Sequence, residues 1–145
     1  MNDCCGRQLK VSEMITLTIQ NWPRSPRLKG IPFTNRGEIW SINLDPSVGA
    51  EIRRTKPALI LSVDAIESRP LRIVMSTTGW KDKFRQATWL DRIETDKTNN
   101  IDKPAAADTF QVRSVSETRF VELIDMASAT DMARVEDAVR TVLDH

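Results

Sequence analysis

Tyrosine is absent from the chain, histidine occurs once, as the last residue His145, and the two cysteines, Cys4 and Cys5, are neighbours. Each shortage removes a class of function. A single terminal imidazole cannot supply a two-histidine ribonuclease or the central member of a Ser–His–Asp triad. Adjacent cysteines cannot staple distant parts of a fold, and they lack the ligand spacing of a zinc site. Without tyrosine, and with only four tryptophans and four phenylalanines, the aromatic groove of an adaptor for proline-rich peptides is a poor reading. No apolar run approaches the ~20 residues of a membrane span. The opening MNDCCGRQLKVSEMITL puts acid and cysteine where a signal peptide carries basic and then apolar residues. There is no GxGxxG and no Walker loop. No DxD or HxE spacing marks a metal site, although counting does not exclude a carboxylate cluster. The start of the chain, its cysteines and the lack of a long apolar run read as a reduced, cytoplasmic protein.

What is present fits one domain: 145 residues, of which 40% are apolar. The net charge is only +1, so a nucleic-acid surface would have to be a local basic patch. Charge is uneven along the chain. Residues 1–36 carry six basic side chains against two acidic ones, and the remainder carries 15 against 18. The segment NWPRSPRLKGIPF, with three prolines, lies in that basic stretch. Residues 1–35 therefore read as an irregular basic arm, or as upstream sequence ahead of a start such as Met14.

From Gly37 the pattern becomes strand-like. EIWSINL sets Ile39, Ser41 and Asn43 against Trp40, Ile42 and Leu44, the alternation of a half-buried strand. Turn chemistry at Asp45-Pro46-Ser47-Val48-Gly49 opens a loop that runs to Pro57. Strands are expected at 58–63, 71–77, 87–93, 106–115 and 120–126, with a polar loop at 94–104. Ser128 and Asp131 form a capping pair for a final helix, on which Met132, Val135, Val139, Val142 and Leu143 share one face. Short strands without a βα alternation, followed by one helix, point to a mainly-β, barrel-like antiparallel sheet with an added helix.

Chemistry concentrates in the loop GAEIRRTKP, residues 49–57, where Arg53, Arg54 and Lys56 accompany a single acid, Glu51. Converging cations would bind an anion, whereas a solvated loop is the plainer reading. The third strand ends in Ser76-Thr77-Thr78-Gly79-Trp80, and Gln111 and Arg113 alternate on a later strand, where they could contact bases or phosphates. Singly, each has an ordinary explanation: threonines as strand formers, Trp80 as core, Arg113 as a surface charge.

Order and spacing together say more. GEIWSINLDPSVGAEIRRTKPALILSVDAI resembles the opening of MazF/PemK toxins: a G-[DE]-[IV]-[WY] strand, a [LF]-[DN]-P turn, a G-[SA]-E loop, a basic-Pro step and an aliphatic strand. VMSTTGWKDKF, AADTFQVRSV and the last helix follow in the family's order, so that the resemblance covers 36–145. It implies an SH3-like antiparallel β-barrel related to the gyrase poison CcdB, and a homodimer. It also implies metal-independent cleavage of single-stranded RNA at short motifs through 2′-hydroxyl attack, and a cognate antitoxin. By position the catalytic arginine of the family falls on Lys56 and its threonine on Thr77. Arg53, Arg54, Glu51, Gln111, Arg113 and Trp80 become the expected substrate contacts. Lysine for arginine replaces a planar fork with a point charge, leaving Lys56 as clamp or proton donor, or leaving the phosphate to Arg53 or Arg54. The alternative is an impaired or CcdB-like toxin that acts by binding, through the helix near Val142 and Leu143.

Overall fold

Apolar side chains and β-branched residues build six segments of the chain into strands. The computed structural model describes residues 34–64, 70–94 and 103–144. Its elements are β1 (Glu38–Asn43), β2 (Thr55–Ile60), β3 (Leu71–Gly79), β4 (Leu90–Ile93), β5 (Ala105–Ser116), β6 (Phe120–Met126) and helix α1 (Ala129–Leu143). The six strands form one sheet in the order β4-β5-β3-β2-β1-β6, and every pair is antiparallel. The mainly-β class with one C-terminal helix is as the sequence implied. The sheet is open, with β4 and β6 as its edges.

Both faces of the sheet carry a core. Ile39, Leu59, Met75 and Ile93 pack with Met132 and Val135 of α1, and Trp40, Ile42, Ala58, Ile60, Val74 and Phe120 pack on the opposite face. β1 is therefore buried on both faces near its start, with Ile39 in one cluster and Trp40 in the other, and not half-buried as its alternation suggested. β2 begins at Thr55 rather than Ala58. Pro57 is tolerated there because β2 pairs with β1 at that point, while its pairing with β3 is registered only from Ala58. β4 is shorter than expected: backbone bonds from Ala87 N to Phe84 O and from Leu90 N to Ala87 O turn residues 84–90 before the strand starts.

The helix starts as its capping pair indicates. Ser128 Oγ accepts from Asp131 N at 3.0 Å and donates to Asp131 Oδ2 at 2.9 Å. The apolar stripe reaches the core through Met132, Val135 and Val139, but Leu143 is exposed. A buried ion pair closes the other end of the sheet. Arg72 Nε lies 3.0 Å from Glu117 Oε1, both side chains being almost fully buried. Thr34 completes the pair, accepting from Arg72 through Oγ1 at 2.8 Å and through its carbonyl at 3.0 Å. Thr34 and Asn35, read from the sequence as the end of the arm, thus touch the folded body; residues 1–33, most of the 94–104 loop and His145 lie outside the described residues.

Candidate functional site

The loop between β1 and β2 is built by its own polar side chains. Asp45 Oδ1 accepts from Arg54 N at 3.0 Å, and Leu44 N donates to Arg54 O at 3.1 Å, which closes the loop at its base. Arg54 takes the left-handed conformation there, with φ 67°. Ser47 Oγ donates within the loop, to Leu44 O at 2.9 Å and Ile52 O at 3.0 Å. Glu51 Oε2 accepts from Val48 N at 3.1 Å. The loop is also tied to β5: Gln111 Oε1 accepts from Ile52 N at 3.1 Å, and Gln111 Nε2 donates to Ala50 O at 3.4 Å. Arg113 stands 3.9 Å from Glu51 Oε2 with both groups partly in water, a contact worth little energy but one that sets direction.

These ties divide the residues singled out from the sequence. Gln111 and Glu51 spend their polar groups on holding the loop, and Arg113 adds a loose contact to Glu51. Arg53 and Arg54 are exposed; Arg53 reaches back only to Gly49 O at 3.4 Å. Arg54 is held through its backbone, which leaves its guanidinium facing solvent. Trp80 is half-buried, packed edge-to-face on Phe84 at 6.0 Å, with the Arg92 guanidinium 5.4 Å from its ring.

Strand register locates Lys56 and the two threonines. Lys56 pairs with Ile42, so it stands on the face of Ile42 and Ala58. Ala58 pairs with Ser76, and continuing that register brings Pro57 opposite Thr77 and Lys56 opposite Thr78. A hydrogen bond supports this placement: Thr77 Oγ1 donates to Pro57 O at 3.1 Å. Thr77 is 3% exposed, whereas Thr78 is exposed. On its other side Thr78 pairs with Ala106, which pairs in turn with Arg92. Thr78, Ala106 and Arg92 thus form one cross-strand row that the continued register extends to Lys56; within it Arg92 is already paired with Glu94 at 3.0 Å. Its exposed end, Lys56 with Thr78, offers a donor and positive charge to an anion lying across the strands.

Sequence reasoning missed the other half of this surface. Four residues of β5, 108–111, stand opposite Ser76 alone, an irregularity that turns Phe110 outward. Phe110 meets Trp89 edge-to-face at 6.2 Å. A cleft opens beside Thr78, lined by Lys83, Phe84, Gln86, Trp89 and Asp108 among others. The pairing of Trp89 with Phe110 depends on long-range register, and no local motif announces it. Asp91, on the opposite face, has its carboxyl raised above the usual value by burial, against the lowering effect of Arg134. Among the described residues no group of three or more His, Cys, Asp or Glu side chains is placed to hold a metal ion.

Residues 35–143 match the family described as PemK-like, MazF-like toxin of type II toxin-antitoxin system. The chain belongs to the PemK/MazF toxin family. Endoribonuclease MazF9 of Mycobacterium tuberculosis (strain ATCC 25618 / H37Rv) is 26% identical over 112 residues, which span 75% of this chain and 95% of the relative. Among solved structures, MazF (Form-I) from Deinococcus radiodurans is similar with a TM-score of 0.65 at 19% identity, covering 79% of this chain and 99% of that one. An endoribonuclease in complex with its cognate antitoxin, from Mycobacterial species, is similar with a TM-score of 0.61 at 13% identity over 77% of this chain and 96% of the other. At those identities the structural likeness speaks for the fold, and the PemK/MazF membership rests on the sequence. The CcdB-like, gyrase-directed alternative is not favoured, since the matches are to PemK- and MazF-type proteins.

Proposed function

We propose that this PemK/MazF-family toxin is an endoribonuclease that cuts single-stranded messenger RNA in the cytoplasm and is restrained by a cognate antitoxin. The observation that supports the reading is the placement of Lys56 and Thr78 on one exposed face by the continued register, beside a basic loop tied by its own hydrogen bonds. In the proposed reaction the ribose 2′-hydroxyl loses its proton and attacks the adjacent phosphorus. The bond to the 5′-oxygen breaks, and that oxygen takes up a proton, leaving a 2′,3′-cyclic phosphate and a 5′-hydroxyl. Negative charge builds on the non-bridging oxygens, and preorganised donors beside them lower the barrier.

In this reading Lys56 supplies the charge, and the two threonines share the remaining work. Thr77 holds the Pro57 carbonyl and so fixes the backbone that carries Lys56. Thr78, exposed on the same face as Lys56, donates to the phosphate. Arg53 and Arg54 attract the strand from the loop, while Glu51, Gln111 and Arg113 keep that loop in place. A second copy of the chain is proposed as partner; the exposed Val121, Leu123 and Met126 of edge strand β6 offer apolar surface for it. Residues 1–33 are proposed as an appended basic arm. Among the described residues no helix is long and apolar enough to cross a membrane.

Replacing Lys56 with alanine tests the assignment. Cleavage of a long single-stranded RNA should slow by ~100-fold or more, as on removing one charge-stabilising donor, with an unchanged melting temperature. Lys56→Arg should match or exceed the parent rate if the lysine acts as a phosphate clamp. Cutting by Lys56→Ala at the parent rate would transfer the role to Arg53 and Arg54.

A further inference from the structure

Of the residues that line the cleft beside Thr78, Thr78 alone is given a part in the proposed bond-breaking step. Its volume is about 560 Å³, within the range of small-molecule sites. Its walls are aromatic: Phe84 and Trp89 line it, and Trp89 is 43% exposed where it meets the still more exposed Phe110. Exposed aromatic surface is costly in water, and here it is held in a fixed shape. Thr109 donates twice to the Trp89 carbonyl, from its backbone N at 3.1 Å and from Oγ1 at 2.7 Å. Phe110 N donates to Asp108 Oδ1 at 3.1 Å. Phe84 is braced from behind by Trp80 at 6.0 Å. Polar side chains share the lining with the aromatics: Thr78, Lys83, Gln86 and Asp108.

We infer that this cleft binds one unpaired nucleobase of the RNA strand, next to the phosphate that is cut. Any base presents a π-face for Trp89 to stack against. The Asp108 carboxylate accepts from an exocyclic amino group, so cytosine, adenine or guanine is preferred over uracil. Lys83, 5.6 Å from the Phe84 ring, supplies a cation for the flanking phosphate. Thr78 joins the two sites: it lines the cleft and pairs across the sheet in the row that starts at Lys56. This continuity with a phosphate-binding row, together with donors and acceptors beside stacking surface, favours a base over a peptide side chain. The inference rests on the RNA-cleaving reading, and its test separates the two.

The full chain and its Trp89→Ala, Trp89→Phe and Asp108→Asn variants are compared in two assays. One maps cut sites on a long single-stranded RNA. The other measures binding of a labelled oligonucleotide with 2′-O-methyl riboses, which cannot be cut. The inference expects Trp89→Ala to weaken oligonucleotide binding by about 5- to 150-fold, the loss typical for one stacked base. Cut sites should lose their preference at one position flanking the scissile bond. Trp89→Phe should restore most of both, and Asp108→Asn should change which base is preferred there. If the parent cuts RNA and Trp89→Ala cuts with the same site preference and binds as tightly, the inference is overturned while the ribonuclease reading stands. If the parent binds RNA without cutting it, the ribonuclease reading fails and the binding comparison alone decides the inference. A parent that neither cuts nor binds overturns both.

Discussion

Thr77 and Thr78 are adjacent in sequence, yet the account gives them different work, and exchanging each for valine separates the roles. Valine keeps the shape and strand preference of threonine and removes only the hydroxyl. Thr77 is 3% exposed and its Oγ1 donates to Pro57 O at 3.1 Å. Losing one such bond typically costs about 0.5–1.5 kcal/mol, and leaving a buried acceptor unsatisfied costs ~1–3 kcal/mol. Pro57 is exposed and the bond is only partly buried, so the expected loss is near ~1 kcal/mol. For a domain of this size that is a fall of roughly 3–4 °C in melting temperature. Thr78 is exposed, and surface changes of this kind stay within about 0.5 kcal/mol. Its hydroxyl, if it donates to the reacting phosphate, is worth roughly 100- to 1,000-fold in rate. Thermal unfolding and initial cleavage rates, measured on both variants, should therefore move in opposite patterns. Thr77→Val should melt earlier and keep most of its rate, and Thr78→Val should melt normally and cut slowly. An inactive but fully stable Thr77→Val beside an active Thr78→Val would refute the reasoning.

Three further outcomes follow from the fold. Glu117→Ala leaves the buried Arg72 guanidinium with Thr34 as its partner among the described residues, so urea unfolding should show a loss of ~3–5 kcal/mol; a loss below ~1 kcal/mol would mean that Thr34 suffices as partner. Asp91 has a folded-state pKa raised above its ordinary 3.8, so the native state holds its proton more tightly than the unfolded chain does. Its contribution to stability should decline as pH rises from 3.8 through the folded value, and Asp91→Asn should remove that decline; the same slope in both proteins would contradict the assignment. Deleting residues 1–33 should leave thermal unfolding and site preference unchanged while weakening RNA binding at low salt, since basic residues leave with the segment; a truncated protein that fails to fold would place the arm in the core.

Much of the architecture was legible because it is local. The strand over 120–126 and the Ser128 cap follow from a short run rich in apolar residues and from one hydroxyl three residues ahead of a carboxylate, patterns that need no tertiary knowledge. The start of β2 was misread because a proline looks like a boundary, whereas here the strand simply has one partner at that point. Leu143 fits the helical period, but the helix outruns the core it packs on. At the site, the basic loop and the threonine pair stood out in the sequence. Their relative placement did not, because which of two adjacent threonines shares a face with Lys56 is a matter of register. The Trp89–Phe110 wall was invisible for the same reason: it depends on four residues of β5 standing opposite one of β3.

The most direct test of the central claim is to incubate the purified protein with a long single-stranded RNA in excess EDTA and to identify both new ends. The account predicts cutting at a short recurring motif, with 5′-hydroxyl and 2′,3′-cyclic phosphate ends and no loss of rate on chelation. Products with 5′-phosphate ends, or activity that vanishes in EDTA and returns with a divalent cation, would contradict it.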